Sequence, residues 1–429
     1  MALIKCFIYT LSIFFCVFKA SAKIEMVENN ALNIAVTGIN GDSRKAYLLI
    51  DKKFSQEHPE VTLNFIVYEA ERFKKDIASI LAKKNTVDVV SWQAGERLFT
   101  YARQGLILPI TDLWQKNNYG QEYSQSIVDG VSINNQVYAI PIVYSIWGMF
   151  YNKSLFKQLK ETPPKNWQQF TYLLAKLKRH DIIPIAIGGK QPWFIANWFE
   201  YLNIRLNGLA FHQKFIQGSI SNHSPQVLNV LTYLQELVLS GHILEGYKNY
   251  YVNDLLPLIY RKKAGVLLAD SSSSIRIPKK VQDDIGFFTF PSINQKNNKG
   301  NNLVHTAPVN IMFIAKNAKN PELAKKFLTF FARADIQSLF SSAMAQLPAN
   351  NLAAHGDNKF INIAKQSVVN STGLTLFFDR EIEKQYGSDL MATWKDFLTH
   401  ADVSITASQM ERSRLQYLQR LKGKESNKN

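Results

Sequence analysis

Residues 136–156 read QVYAIPIVYSIWGMFYNKSLF. The stretch opens with alternating side chains, reaches Ile140-Pro141, and then runs through aromatics to Tyr151-Asn152-Lys153. Proline offers no amide donor and holds its predecessor extended. The stretch therefore reads as a chain crossing between two bodies rather than as a central strand. Tyr144 and Trp147, just beyond the proline, are placed to line a cleft, where small molecules usually bind.

On the N-terminal side of that crossing, strand and helix patterns alternate. Leu32 to Val36 is a short apolar strand ending at Thr37-Gly38-Ile39-Asn40-Gly41-Asp42. A helix follows with Tyr47, Ile50 and Phe54 on one face, closed by His58-Pro59. Val61 to Val67 alternates as a second strand. Phe73, Ile77, Ile80 and Leu81 recur at helical spacing, and Val87 to Trp92 makes a third strand, followed by a helix that stops at Gly105. Such repeats imply a parallel sheet, in which ligands sit beyond the carboxyl ends of the strands. Those ends are Asn40 to Asp42, Tyr68 to Glu71, and Trp92 to Arg97.

On the C-terminal side a second body begins. Asn166 is a candidate cap for a helix that turns Phe170, Leu173, Leu174 and Leu177 inward, with Gln169 set to complete the cap. Asp181 to Gly188 and Ala264 to Ala269 read as buried strands, the latter ending in Asp270-Ser271-Ser272-Ser273-Ser274. Ile285 to Phe290, closed by Pro291, reads as a second crossing, and Gln346-Leu347-Pro348-Ala349 as a third. Asn294 to Asn302 is a loop in any reading. Val309 to Ala315 is a strand, and Asn320-Pro321-Glu322 starts a helix with proline at its first position.

The chain has 429 residues and a formal charge of +16. Its first residues carry the pattern of a secretory signal: Lys5, an apolar run from Cys6 to Phe18, and Ala20-Ser21-Ala22 as the cleavage site. The apolar run falls short of the roughly 20 residues a membrane span needs. The rival reading is a lipoprotein acylated at Cys16, although Phe14 and Phe15 are bulky for that signal. Cleavage after Ala22 leaves 407 residues, a charge of +14 and no cysteine, because Cys6 and Cys16 are both removed. Disulfides, thiol catalysis and cysteine-bound zinc are then excluded. The lysines fall in scattered pairs such as Lys74-Lys75 and Lys325-Lys326, which suits solvated helix faces better than the clustered stripe of a nucleic-acid site. Residues 422–429 form a polar tail, expected to be disordered.

Enzyme signatures are missing: the chain has no phosphate-binding glycine loop, no dinucleotide fingerprint, no His-Glu-x-x-His and no Gly-x-Ser-x-Gly. Its eight histidines lack metal-ligand spacing. The sequence therefore gives no catalytic residue, no cofactor and no metal. A glycosidase would need two carboxylates that meet only in space, and Glu69 with Asp270 is the candidate pair. Sugar recognition needs aromatic faces for ring C–H groups and fixed polar groups for hydroxyls. The aromatic candidates are Trp92, Tyr144, Trp147, Trp193 and Trp198. The polar ones are Asn40, Asp42, Glu69, Glu96, Arg97, Asp270, Asn310 and Asp379. Trp167 and Trp394 are assigned to helix packing.

Four segments, in order, resemble the extracellular solute-binding proteins of ABC importers, in the carbohydrate-binding branch that includes maltose-binding protein. Tyr101 to Pro109 is similar to its Ala-x-x-Gly-x-Leu-x-Pro stretch. Tyr138, Pro141 and Tyr151-Asn152-Lys153 match its Gly-x-x-Tyr-x-x-Pro strand and Tyr-Asn-Lys helix start, with Asn135 where glycine is usual. Pro163-Pro164 with Trp167 and Phe170 resembles its Pro-Pro-x-x-Trp-x-x-Phe segment. Asn320 to Ala349 resembles its Asn-x-Glu-x-Ala helix and Leu-Pro-Ala turn.

The resemblance implies an α/β, two-lobed periplasmic binding protein fold with hinge crossings and a central ligand cleft. Residues 23–141 and 292–347 then form the N-terminal lobe, and 142–291 and 348–421 the C-terminal lobe. It also implies a monomeric periplasmic protein, not an enzyme, that captures a sugar or sugar-like solute for an ABC transporter permease in the membrane. Alternatives are a ligand-sensing subunit for a membrane receptor and an exported glycosidase. Trp193 resembles a stacking aromatic of the second lobe, and Phe377-Phe378-Asp379 lies where another ligand-facing aromatic is expected, with Phe378 taken as that residue. Ser145 stands where maltose-binding protein has an acidic ligand residue. Asp270 to Ser273, with Ser272 as a further polar candidate, replaces a Gly-x-Trp turn, which points to a smaller or more polar ligand. Arg97, Arg276 and Arg380 are candidate contacts should the solute be anionic.

Overall fold

The computed structural model describes residues 30–37, 41–293 and 300–426. The expected signal, Asn40 and part of the 294–302 loop lie outside these residues, and the side chain of Asp42 is also not described.

The strands are β1 (Ala31–Thr37), β2 (Thr62–Tyr68), β3 (Val89–Gln93), β4 (Ser132–Ile133), β5 (Gln136–Val137), β6 (Ile140–Tyr144), β7 (Trp147–Asn152), β8 (Ile183–Ala186), β9 (Ala264–Asp270), β10 (Ile285–Phe288), β11 (Val304–Thr306), β12 (Val309–Ile314), β13 (Leu347–Pro348) and β14 (Gly373–Thr375). They form a six-stranded sheet, β13-β6-β12-β3-β1-β2, and a four-stranded sheet, β10-β7-β9-β8, with the small pairs β11-β14 and β4-β5. β1 runs parallel to β2 and β3, while β12 is antiparallel to both β3 and β6. The helices between the parallel strands form because apolar residues recur at helical spacing. Helix Ala70–Ala82, for example, buries Phe73, Ile77 and Leu81 and is capped by the Glu69 carboxylate.

Each sheet has its own core. The first contains Leu32 to Val143, then Val309 to Phe340, with Ala349. The second contains Ile146 to Ile293, with Ala307, Ala345 and Leu347, and then Phe360 to Met410. The chain thus changes bodies three times, giving the expected two-lobed α/β architecture. Helix-start expectations hold locally: Asn166 accepts from the Gln169 amide at 2.9 Å, and Asn320 from the Leu323 amide at 3.1 Å. Gln169, however, accepts from the amide of Lys165 and not from that of its cap residue. Trp167 and Trp394 lie in the core as expected, and Trp198 joins them.

Two crossings differ from expectation. Pro141 lies inside β6, between β12 and β13 in the sheet order, and the passage comes later, at Ser145-Ile146. The sheet tolerates the proline because the β6–β12 register breaks beside it, pairing Asn310 with Val143 but Ile311 with Pro141. β13 reaches only Val143 and Tyr144, so no strand on that side asks for a proline N–H. Ile285–Phe288 is likewise not a crossing. It is the edge strand beside β7, and the chain passes between lobes after β11 instead, between Ala307 and Val309.

Candidate functional site

Three strands of the first sheet bring their ends to one edge: Trp92 and Gln93 from β3, Tyr144 from β6, and Asn310 from β12. Facing them, the second sheet offers Trp147 at the start of β7, paired in register with Asp270 at the end of β9. Beyond β8 the chain turns at Gly188-Gly189 into helix Trp193–Asn207. A cavity of about 350 Å³ opens between the lobes. Trp92, Glu96, Arg97 and Tyr101 line it from one lobe, and Pro192, Trp193, Asp379, Lys384 and Met391 from the other.

Two aromatic walls meet there. Trp92 is buried edge-on against Phe73, with centroids 5.5 Å apart, and its indole donates to the Arg97 carbonyl at 3.3 Å. Opposite, Trp193 stacks on Phe194 at 3.8 Å and meets Trp147 at 6.0 Å and Phe377 at 5.8 Å. The indole N–H groups of Trp147 and Trp193 are both buried without a hydrogen-bond partner. An unmatched buried donor is costly and asks for an explanation. The core indoles of Trp167 and Trp394 are unpartnered as well, so it is the place of Trp193 on the cavity wall that sets it apart.

Charged groups bridge the two walls. Arg97 donates to the backbone carbonyl of Asp379 at 3.0 Å and pairs with its carboxylate at 2.5 Å. Arg380, the next residue, donates to the Val309 carbonyl at 2.8 Å and to the Asn310 side chain at 3.4 Å. Burial lowers its pKa to about 10, with the carboxylates of Asp379 and Asp270 acting in the opposite sense. Gly95 closes the approach: a Cβ there falls 2.6 Å from the Arg380 carbonyl oxygen. Tyr144 packs against both cores where the chain crosses, and burial raises its hydroxyl to about 12.

The structure brings Trp92, Arg97, Trp193 and Asp379 onto the cavity wall and puts Trp147 directly behind Trp193. Tyr144 and Asn310 stand at the neighbouring strand ends. Asp270 caps the turn Ser271–Arg276, accepting from the Ser272 amide and hydroxyl, so Asp270 and Ser272 satisfy each other. Two expectations need correction. Glu69 is exposed and spends both oxygens on the amides of Glu71 and Arg72, at 3.0 and 2.7 Å, which holds its carboxyl below the usual range. Phe378 is fully buried, 4.8 Å from Trp394, with its amide on Glu200 at 3.1 Å. Its neighbour Phe377 faces Trp147 and Trp193 instead, on a backbone with φ +122°. The proposed acid pair Glu69 and Asp270 thus consists of two capping residues. Of the candidate anion contacts, Arg276 is exposed and Arg380 is already engaged by β12. Tyr101, Lys384 and Met391 were not signalled, because ordinary helix faces carry them.

Comparison with known proteins agrees with this architecture. The family described as bacterial extracellular solute-binding protein matches residues 40–338. An uncharacterized ABC transporter extracellular-binding protein of Pyrococcus horikoshii is 24% identical over 320 residues, 72% of this chain and 69% of its own length. A multiple sugar-binding protein of Streptococcus mutans is 26% identical over 228 residues, about half of each chain. Among solved structures, the solute receptor AcbH, described as preferring β-D-galactopyranose, superposes with a TM-score of 0.84 at 21% identity. That superposition covers 91% of this chain and 99% of AcbH. Maltose-bound MalE3 of T. maritima superposes at 0.73 and 15% identity, covering 90% and 99%. At these identities the superpositions speak for the fold.

Proposed function

The chain belongs to the bacterial extracellular solute-binding protein family, whose members serve ABC transporters, and from that premise we propose that it captures a small neutral carbohydrate between its two lobes. The carrying observation is an inter-lobe cavity of about 350 Å³ walled by Trp92 from one lobe and Trp193 from the other, with Arg97, Asp379 and Lys384 on the same walls. Trp193 offers a face to ring C–H groups, and Arg97, Asp379 and Lys384 offer polar atoms to hydroxyls. Tyr144 and Asn310 at the first sheet's strand ends and Asp270 and Ser272 in the second lobe are further candidate contacts, as are Asn40 and Asp42 from the sequence pattern. The cavity holds carboxylates as well as cations, which suits hydroxyls better than an anion.

Capture works by closure. A sugar touching both walls stabilises the closed arrangement only as far as it prefers it to the open one. The closed form then presents one composite surface to a permease in the membrane. Binding proceeds without turnover, since the carboxylates nearest the cavity are engaged in caps and ion pairs. We take the two lobes as residues 23–145 with 308–347 and 146–307 with 348–426, the first hinge moved to Ser145-Ile146, the second from Pro291 to between Ala307 and Val309, and the expected disordered tail shortened because the last helix runs on to Ser426. We further propose a monomer in the periplasm, freed by cleavage after Ala22.

A thermal-shift screen across monosaccharides, disaccharides, polyols and uronates tests the proposal. A specific ligand at a hundred times its dissociation constant stabilises by about 2.7 kcal/mol. A neutral sugar is expected among the hits, returned unaltered after incubation. No shift from any of these classes, or hits confined to uronates, would overturn the reading.

A further inference from the structure

Behind the segment that carries Phe377, Asp379 and Arg380, three side chains from distant parts of the sequence meet: Glu200, His212 and Glu381. Each offers one ligand-type atom, and the three atoms lie within 4.8 Å of one another. Glu200 and His212 are wholly buried, and Glu200 Oε1 and His212 Nε2 face each other at 3.5 Å without a hydrogen bond to any group, an ion pair only when the imidazole carries a proton. Glu381 keeps some exposure as a residue while its carboxyl group is enclosed, and Glu381 also lines a cavity of about 780 Å³ between the lobes. We propose that Glu200, His212 and Glu381 form a binding site for one divalent transition-metal ion of the zinc type.

The donor set and spacing support this. One imidazole nitrogen with two carboxylate oxygens is a set zinc accepts, and an open fourth position takes water. Tetrahedral bonds of about 2.0–2.1 Å place ligand atoms about 3.4 Å apart. Glu200 Oε1 and His212 Nε2 already stand 3.5 Å apart. The third ligand has to move in by roughly an ångström, which Glu381, on the short helix Phe378–Glu381, reaches by a rotamer adjustment. Hydrogen bonds orient the ligands from behind, as metal sites require. The Phe378 amide holds the other oxygen of Glu200, and the Thr375 hydroxyl holds Glu381.

The electrostatics point the same way. The carboxyl groups of Glu381 and Glu200 are brought together beside His212, with Thr375 the hydroxyl that donates to Glu381. Two enclosed carboxylates thus share a single imidazole, and a dication relieves them better than a proton does. Histidine must present a bare Nε2 to the ion and keep its proton on Nδ1, which stands 3.1 Å from the Asn203 carboxamide. Asn203 in turn meets the Asn207 carboxamide at 2.8 Å. Turning both amides over keeps both contacts and sacrifices only the long 3.4 Å bond from Asn207 to the Gln226 carbonyl. The cavity beside Glu381 gives the ion a way in.

The test uses the full mature chain, stripped with chelator and dialysed. Elemental analysis after loading with zinc chloride should give one zinc per chain. Cobalt substitution should give the strong visible bands of a four-coordinate ion. Glu381→Gln keeps the oxygen that accepts from Thr375 and should weaken zinc at least tenfold while melting unchanged in chelator. His212→Gln should abolish the cobalt bands, and His180→Gln, at an exposed site, should leave them intact. Absence of stoichiometric zinc, or uptake and cobalt bands equal in the parent and both cluster variants, would overturn the site.

Discussion

Acid should weaken this protein through one histidine whose surroundings forbid a charge. His305 lies on β11, just before the chain passes between the lobes, 3% exposed and with Nδ1 unpartnered. Burial, and then the nearby Arg205 guanidinium, lower its pKa to about 4. Arg205 is itself fixed: it donates to the carbonyls of Asn301 and Val304, both at 2.8 Å, and lies over the Tyr201 ring. Unfolding restores a value near 6.5. Between those values the unfolded chain takes up a proton that the folded chain refuses, so stability is complete above about pH 7 and falls as the pH drops toward 4. A gap of about 2.5 units, at 1.36 kcal/mol each, makes the full loss roughly 3 kcal/mol.

Urea unfolding of the parent and His305→Asn from pH 7.5 to 4.5 reads this directly. The variant carries a pH-independent penalty for the altered packing, while the groups titrating elsewhere act on both proteins and cancel in the difference. The parent's stability advantage should therefore shrink by about 2–3 kcal/mol over that range. Parallel curves would refute the reasoning, because they would mean that the imidazole either protonates freely in the folded chain or never differs from its unfolded state.

Three further outcomes follow from the same contacts. Trp193→Ala removes the exposed face of the second-lobe aromatic wall and should weaken binding of the sugar found in the screen by about 10–100-fold in calorimetry. Asp88→Ala deletes a buried carboxylate that accepts from the amides of Asn33 at 2.8 Å and Lys319 at 2.7 Å. Denaturant unfolding should show a loss of about 2–4 kcal/mol, because buried donors lose their acceptor. Gly95→Ala puts a side chain on a backbone at φ +85° and a Cβ 2.6 Å from the Arg380 carbonyl oxygen. X-ray scattering with saturating sugar should then report a more open molecule, and affinity should fall at least tenfold.

Most of the fold was legible because its signals are local. The apolar spacing of Phe73, Ile77 and Leu81 needs nothing beyond its own helix, and Asn166 and Asn320 cap whatever follows them. The crossings were less legible, and Pro141 shows why. A proline excludes a strand only where a neighbour needs its N–H, and that need depends on the register of β12 and the length of β13. Both partners lie well over a hundred residues away in sequence. The apolar run Ile285–Phe288 could equally be an edge strand or a passage until its pairing with β7 is known.

Site residues divide on the same principle. Trp92 was legible because a strand end in a parallel sheet has a functional meaning, and Arg97 because it opens the next helix. Glu69 occupied an equivalent place and was misread, since a carboxylate one residue before a helix serves as a cap as readily as a ligand group. Phe377 and Phe378 carry the sharper lesson. Adjacent side chains point to different sides, so one faces the cavity and the other the core, and composition cannot say which. The deciding features are the left-handed backbone at Phe377 and the Glu200 carboxylate that receives the Phe378 amide. That carboxylate also belongs to the buried cluster with His212 and Glu381. The orientation of an aromatic in the cleft thus depends on a polar group behind it, and whatever charge sits in that cluster acts on the aromatic wall of the cavity.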